Sequence, residues 1–242
     1  MKPFEADTNK PTIVLIHGAW ADGSCWQEVI PILQKSGCKV VAAQLPLVNF
    51  AEDVVFAKRV IEGQKGPVVV VGHSYGGAVI TEAATKNANI KALVFIAAFS
   101  PDFGESLKSL QERFAQMPIG DAIVPSAAGF LYLAPAKFHS VMAHDLPESQ
   151  AAVLAAVQKP LFGASFATPI KDVAWKTIPS WFLISTADRA IDPKQQRFGA
   201  KRMGAHVTEV NASHLPMLSK PEEVAKIIEA AANWEQAAAI PG

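Results

Sequence analysis

The 242-residue sequence is poor in features that would tie it to a special environment. It has two cysteines, Cys25 and Cys38, which is typical of a reduced intracellular protein rather than a disulfide scaffold. Its 22 Lys and Arg balance its 22 Asp and Glu, so no surplus charge indicates nucleic acid or an anionic membrane as a partner. No apolar run approaches the roughly 20 residues of a membrane span, and residues 1–10 lack the apolar region of a secretory signal. We therefore expect a soluble, cytoplasmic protein that acts on a small molecule.

What the sequence does contain is an alternation of short apolar runs and amphipathic segments. Six runs rich in β-branched or aromatic residues predict strands: 12–16, 39–44, 67–71, 91–98, 180–186 and 206–210. Most are continuously apolar, which is typical of strands buried on both faces of a parallel sheet. Helices are predicted between and after them, over 24–37 (with Ser24 as its cap), 50–64, 75–88 and 221–238. The alternation predicts a single α/β domain, a mainly parallel open sheet of about six strands flanked by helices.

One stretch, residues 101–176, interrupts this alternation. It shows no strand pattern, and its helix-like fragments are separated by prolines and accompanied by many aromatic residues. We predict a helical cap, inserted between two core strands and lying over the carboxyl ends of the sheet, where open α/β proteins bind ligands. The core then comprises residues 1–100 and 177–242.

The segment Gly-His-Ser-Tyr-Gly at 72–76 is the first candidate for chemistry. A Gly-x-Ser-x-Gly pattern is common by chance, but here an apolar strand precedes it and a helix of small residues follows. A sharp strand-to-helix bend at Ser74 requires very small residues two positions before and two after, and Gly72 and Gly76 meet that requirement. Ser74 could be a simple helix cap, but the context favours a nucleophile.

A serine hydroxyl becomes a good nucleophile only when a base removes its proton. His214 lies in the loop between the last predicted strand and the last helix, which brings it to the same sheet edge as Ser74. The other histidines are expected to shape loops beside the bend, to lie in the cap, or to begin a strand: His17, His73, His139, His144 and His206. His214 is therefore the predicted base.

An acid that orients the histidine should follow the preceding strand. Asp188 comes directly after the run 180–186 and is preferred. Asp192, next to a proline, is predicted to cap the following helix, and Asp102 is a weaker rival after an earlier strand.

Acyl transfer also requires donors for a developing oxyanion. The backbone N–H of Tyr75, the residue after the serine, is one candidate. The second is the N–H of Ala19 in the loop 17–20, where Gly18 permits the turn.

Taken in order, the segments "LIHGAWADGSCW", "GHSYGG", "AAFSPD", "TADRAI" and "SHLPMLSKP" resemble the α/β-hydrolase superfamily. The resemblance is strongest to the branch of plant methyl-salicylate esterases, hydroxynitrile lyases and their bacterial esterase relatives. It implies Ser74, Asp188 and His214 as the catalytic triad and Ala19 and Tyr75 as oxyanion donors, the same residues reached above. It also implies that neither a cofactor nor a metal is needed.

Within that branch, further positions bear on the choice between chemistries. The resemblance implies that Asp102, in the family's Pro-Asp pair, is not catalytic. The lyases carry a threonine where this sequence has Gly18 and a lysine where it has Leu215, and both departures favour ester hydrolysis. We expect a serine carboxylesterase for small to medium hydrophobic esters, with Trp20, Phe99 and Leu215 lining the substrate pocket.

Two alternatives remain open from the sequence. One is a hydroxynitrile lyase or another cofactor-free enzyme of the same fold, and the other is a non-catalytic ligand receptor. A homodimer is compatible with the sequence, and Cys25, near the first loop, is expected to be a buried helix residue rather than a reactive thiol.

Overall fold

A computed structural model of the chain describes residues 10–234. The strands in this range are Thr12–Ile16 (β1), Val40–Ala42 (β2), Val68–His73 (β3), Ile90–Ile96 (β4), Ile123–Pro125 (β5), Phe130–Leu133 (β6), Leu161–Phe162 (β7), Ser180–Ser185 (β8) and His206–Val210 (β9). The α-helices are Val29–Lys35 (α1), Phe50–Glu62 (α2), Tyr75–Ala83 (α3), Leu107–Gln111 (α4), Pro135–Met142 (α5), Glu148–Val157 (α6), Pro193–Met203 (α7), Pro216–Ser219 (α8) and Pro221–Ala232 (α9). Among these described helices, none combines the length and apolar character needed to cross a bilayer.

The main sheet is parallel and has the strand order β2-β1-β3-β4-β8-β9. From β1 the chain first adds β2 on one side and then returns to add β3 on the other. Such a reversal opens a crevice at the carboxyl ends of the two central strands. Ile16 and Gly72 are paired at these ends, so the loops after β1 and β3 leave the sheet side by side. The predicted parallel α/β sheet is confirmed.

The centre of this sheet is the core of the protein. Strands β1, β3 and β8 are buried along their whole length, as their continuously apolar runs predict. Helix α9 packs against β3, β4, β8 and α1, while α2 packs against α3 and α3 covers β3. The edge strand β9 is mostly exposed. Burial on both sides gives the carboxyl ends of the central strands a rigid support.

The single helix predicted over residues 24–37 is wrong. A short 3₁₀ helix at Gly23–Trp26 comes first, capped by Asp22, whose carboxylate accepts the Ser24 N–H at 2.7 Å. Helix α1 begins only at Val29. Pro31 explains the break, because proline in the interior of a continuous helix lacks the N–H and clashes with the carbonyl four residues earlier.

The prediction of an insertion without strands is also wrong. Between β4 and β8, strands β5, β6 and β7 form a three-stranded antiparallel sheet beside helices α4, α5 and α6. A turn joins β5 to β6, with the Gly129 N–H donating to the Ser126 carbonyl at 3.0 Å and Gly129 at a φ of 81°. These strands are two to four residues long, too short to show an alternating pattern.

The remaining differences concern the ends of elements. The strand predicted at 39–44 is limited to Val40–Ala42, and the strand predicted at 67–71 continues to His73. Asp192 caps α7 as expected, its carboxylate accepting the Lys194 N–H at 2.8 Å. The last four residues of the helix predicted over 221–238 lie outside the described residues.

Candidate active site

Ser74 stands at the bend between β3 and α3. Its backbone has a φ of 53° and a ψ of −121°, a conformation that residues other than glycine rarely adopt. Its Oγ lies 2.8 Å from Nε2 of His214 rather than capping α3. A strained residue is retained only where the surrounding structure fixes it, and such residues cluster at active sites. The geometry thus favours the nucleophile interpretation over the helix cap.

The two glycines beside the bend have no room for a side chain. A Cβ on Gly72 would lie 2.6 Å from the carbonyl oxygen of Gly76, and one on Gly76 would lie 2.6 Å from that of Ile16. The bend therefore folds back on itself and presses against the end of β1. Both positions have to be glycine, as the sequence pattern predicts.

His214 is held in place from two sides. Its Nδ1 is 2.8 Å from Oδ2 of Asp188, and its backbone carbonyl accepts a hydrogen bond from Nε2 of His73 at 2.8 Å. The side chains of Asp188 and His214 are almost completely buried. Nδ1–H therefore points to the carboxylate, and Nε2 is left to accept the proton of Ser74.

Asp188 occupies the turn after β8, and both of its carboxylate oxygens are saturated with donors. Oδ1 accepts the N–H groups of Ala190 and Ile191, at 2.7 and 3.0 Å. Oδ2 accepts His214 and also Nε2 of Gln196, at 2.8 Å. The carboxylate is thus oriented by its own turn and by α7, and it can in turn fix the tautomer of the histidine.

Gln196 is a site residue that the sequence pattern does not reveal. It is completely buried on α7, and its Oε1 accepts the Ser185 N–H at 3.0 Å while its amide donates to Asp188. The one hint in the sequence is that Gln196 lies one turn after Asp192, which caps the helix.

The predicted oxyanion donors lie beside Ser74. Tyr75 is the first residue of α3, and Ala19 is in the loop after β1; both border the same small cavity as Ser74 and His214. This loop touches the bend directly, because a Cβ on Gly18 would lie 2.8 Å from Cβ of Ser74. The amino end of α3 adds a partial positive charge at the same place.

The cavity at Ser74 is narrow and mostly apolar. Its free volume is ≈ 30 Å³, and its walls include Trp20, Phe99 and, from the insertion, Phe166. Trp20 reaches the insertion, where its Nε1–H donates to the Leu131 carbonyl at 2.9 Å. Leu215, which was predicted to line the same pocket, is not among the residues that line the cavity at Ser74. It lines a second cavity, whose walls also include Trp20. A larger groove of ≈ 680 Å³ between β9 and α9 contains none of the residues of the site.

The histidine of the first loop has a structural role. His17 is buried, with Nδ1–H donating to the Gly18 carbonyl at 2.8 Å and Nε2 accepting the Leu45 N–H at 2.9 Å. Burial lowers the pKa of His17 to about 4, which keeps the ring neutral.

Other candidate residues do not bond the side chains of Ser74, His214 or Asp188. His139 and His144 bond backbone carbonyls, those of Leu146 and Ala187. Asp102 pairs with Lys176 at 2.5 Å. Burial raises the pKa of the Cys25 thiol, which disfavours the reactive thiolate.

Comparisons with known proteins extend over most of the chain. A model described as the alpha/beta hydrolase family matches residues 13–227. The carbendazim hydrolyzing esterase of Nocardioides sp. (strain SG-4G) is 28% identical over 250 residues, covering 90% of this chain and 98% of that protein. Methylesterase 8 of Arabidopsis thaliana is 25% identical over 237 residues, covering 88% of this chain and 86% of that protein. A pyrethroid hydrolase from Sphingobium faniae JZ-2 has the same fold, with a TM-score of 0.77 and 23% identity over 92% of this chain and 97% of its own.

Proposed function

We propose that this chain, which belongs to the alpha/beta hydrolase family, cleaves carboxylic esters through an acyl-enzyme formed on Ser74. The observation that carries the proposal is the buried series from Ser74 Oγ through His214 to Asp188, with 2.8 Å at each step. Relatives named as an esterase and a methylesterase support the same reaction class.

In the proposed reaction, Oγ of Ser74 attacks the ester carbonyl carbon while Nε2 of His214 takes the hydroxyl proton. The carbonyl oxygen becomes an oxyanion beside the N–H groups of Ala19 and Tyr75. When the C–O bond to the alcohol breaks, His214 returns its proton to the leaving oxygen. A water molecule, deprotonated by His214, then attacks the acyl carbon and releases the acid and free Ser74.

The proposed substrates are small to medium hydrophobic esters. Besides Ser74 and His214, the walls of the cavity are largely apolar, and Gln111 is one of the few other polar side chains there. Because the cavity is narrow, the first substrates to test are short acyl esters.

Cyanohydrin cleavage is disfavoured by the same surroundings. The threonine that the resembling lyases carry at position 18 has no room here, because its Cβ would lie 2.8 Å from Cβ of Ser74. Where those lyases carry a lysine, this chain has the uncharged Leu215 beside His214. We expect cyanide release from mandelonitrile to be no faster than with the Ser74→Ala variant.

The test combines covalent labelling with turnover. A fluorophosphonate probe should label the wild type but not Ser74→Ala, and p-nitrophenyl esters of graded acyl length should be hydrolysed only by the wild type. The rate of the variant should fall by at least about 10⁴-fold, as expected when the nucleophile is lost. A wild type that is neither labelled nor active on the whole panel would overturn the proposal, and thermal stabilisation by an unconverted ester would then indicate a receptor.

A further inference from the structure

Asp53 is a fully buried carboxyl group outside the series formed by Ser74, His214 and Asp188. It lies on α2, and its two oxygens have different partners. Oδ1 accepts the backbone N–H of Leu47 at 2.7 Å, and Oδ2 accepts the hydroxyl of Tyr75 at 2.6 Å. Because a buried carboxyl is costly unless it is well bonded, its presence beneath the site calls for a role.

The partner of Asp53 is the residue whose N–H is the proposed oxyanion donor. The side chain of Tyr75 is held at its tip by Asp53 and along its ring by Phe50, which packs edge to face at a centroid distance of 6.0 Å. Tyr75 is only 1% exposed. A side chain anchored at both places restricts rotation of the Ser74–Tyr75 peptide plane, which carries the donor.

Asp53 also bonds the loop that follows β2. Leu47 has a φ of 60°, and while its N–H donates to Asp53, its carbonyl accepts the Phe162 N–H of the insertion at 3.0 Å. One carboxyl group thus joins α2, the strained loop residue and the first residue of α3.

The pKa shifts of Tyr75 and Asp53 agree with a hydrogen bond in which the Tyr75 hydroxyl is the donor and the Asp53 carboxyl is the acceptor. Burial raises the pKa of Asp53, and the hydrogen bonds from Tyr75 and Leu47 oppose that shift. The pKa of Tyr75 is raised mainly by burial and further by the nearby Asp53. The Tyr75 hydroxyl therefore keeps the proton that it donates.

We propose that Asp53 is a positioning residue for ester hydrolysis, which fixes the Tyr75 backbone N–H against the oxyanion through the Tyr75 hydroxyl. Asp53 is not among the residues that line the cavity at Ser74, and its effect on the oxyanion is exerted through Tyr75. The inference rests on the proposed function, since the amide matters only if an oxyanion forms at Ser74.

The experiment compares Tyr75→Phe, Asp53→Ala and the double variant with the wild type on a short p-nitrophenyl ester. Each single variant should lower kcat roughly tenfold, less than the loss of an oxyanion donor outright, because the amide is loosened and not removed. KM should stay within about twofold, since the ground-state ester is bound by other groups. The double variant should be no slower than the slower single one, because both changes break the same hydrogen bond.

Two further measurements separate positioning from general damage. The pH dependence of kcat/KM should keep its wild-type midpoint, because Ser74 and His214 are untouched. The affinity for a trifluoromethyl ketone, whose adduct with Ser74 carries an oxyanion, should fall by the same factor as kcat. Thr81→Val is the matched control: it removes another buried hydrogen bond of α3, to the Gly77 carbonyl at 2.8 Å, and should lower Tm while leaving kcat unchanged.

The outcomes separate the two proposals. An active wild type whose Tyr75→Phe variant keeps its kcat and its ketone affinity overturns the positioning role alone. So do additive losses in the double variant, or a kcat loss in Thr81→Val as large as that in Tyr75→Phe. A wild type without labelling or turnover overturns the proposed function and the positioning role with it.

Discussion

At the carboxyl edge of the sheet, Asp188, His214 and Ser74 form a connected series of buried hydrogen bonds. The insertion between Ile96 and Ser180 bonds the loops beside these residues, as Asp145 does in accepting the Ser213 N–H at 2.9 Å, but among the described residues it bonds none of their three side chains. Asp188 has four donors around its carboxylate. From the insertion, Leu131 accepts one bond from Trp20 and Phe162 gives one to Leu47. The edge therefore fixes the relative positions of reacting atoms, while the insertion determines the shape of the space above them.

This difference has a consequence for kinetics. Changes at the edge should lower kcat, because they displace groups that act in the transition state. Changes in the insertion should alter KM and the choice between esters, because they change the walls of the cavity.

Among changes at the edge that leave Ser74 in place, the largest effect is expected from Asp188→Asn. The amide can no longer hold the Nδ1–H tautomer of His214 as the carboxylate does, so kcat should fall by about 10³- to 10⁴-fold. Steady-state kinetics on a short ester would measure this, with circular dichroism to show that the fold is retained. A kcat within tenfold of the wild type would contradict the prediction, because it would show that the Asp188 carboxylate is not needed to orient His214.

The second effect concerns stability at the same edge. The pKa of buried His17 is about 4, below its ordinary value of 6.5, so the unfolded chain takes up the proton first as the pH falls. The stabilisation by neutral His17 is therefore complete above about pH 6.5 and is lost toward pH 4, on the order of 3 kcal/mol. Denaturant unfolding at intervals across this window would measure it. His17→Gln, which cannot titrate there, should show a shallower slope, and equal slopes would contradict the prediction.

A third effect, of about 10²-fold in kcat, is expected from Gly18→Ala. The new methyl group would lie 2.8 Å from Cβ of Ser74 and would force the first loop and the bend apart. At Gly104 an added Cβ would have space, with nothing within 4 Å. Its backbone φ of 77°, however, would strain any residue other than glycine, so Gly104 is not a suitable control. Gly120→Ala, whose nearest neighbour is a flexible glutamine at 3.5 Å, tests the same change where there is space and should leave kcat unaltered.

The smallest effect is expected in the insertion, from Phe166→Ala. Removing this wall of the cavity should shift the preference toward longer acyl chains by about tenfold in kcat/KM, with little change of kcat on the best ester. Phe103→Ala, an insertion aromatic that is 71% exposed, is the control and should keep the wild-type preference. An equal loss of kcat on every ester would instead show that the insertion positions the chemistry, and the contrast between the two regions would not hold.

The same two regions differ in how far the sequence predicts them. The core strands follow from long buried apolar runs, and the residues at their ends follow from chain order, which is why Ser74, Asp188 and His214 could be selected in advance. The strands of the insertion could not, since two to four residues show no periodicity. Gln196 and Asp53 were missed for another reason: each lies on a helix whose pattern predicts the helix but not which polar residue faces inward.

His214 follows Ser74 by 140 positions in the chain, which also affects the time course of synthesis. A ribosome adds about 5–20 residues per second, so the serine is made on the order of ten seconds before its proposed base. During that interval the Ser74 hydroxyl lacks the side chain that it bonds in the folded protein. The contact between Ser74 and His214 can therefore form only after β9 and the loop that follows it have been synthesised.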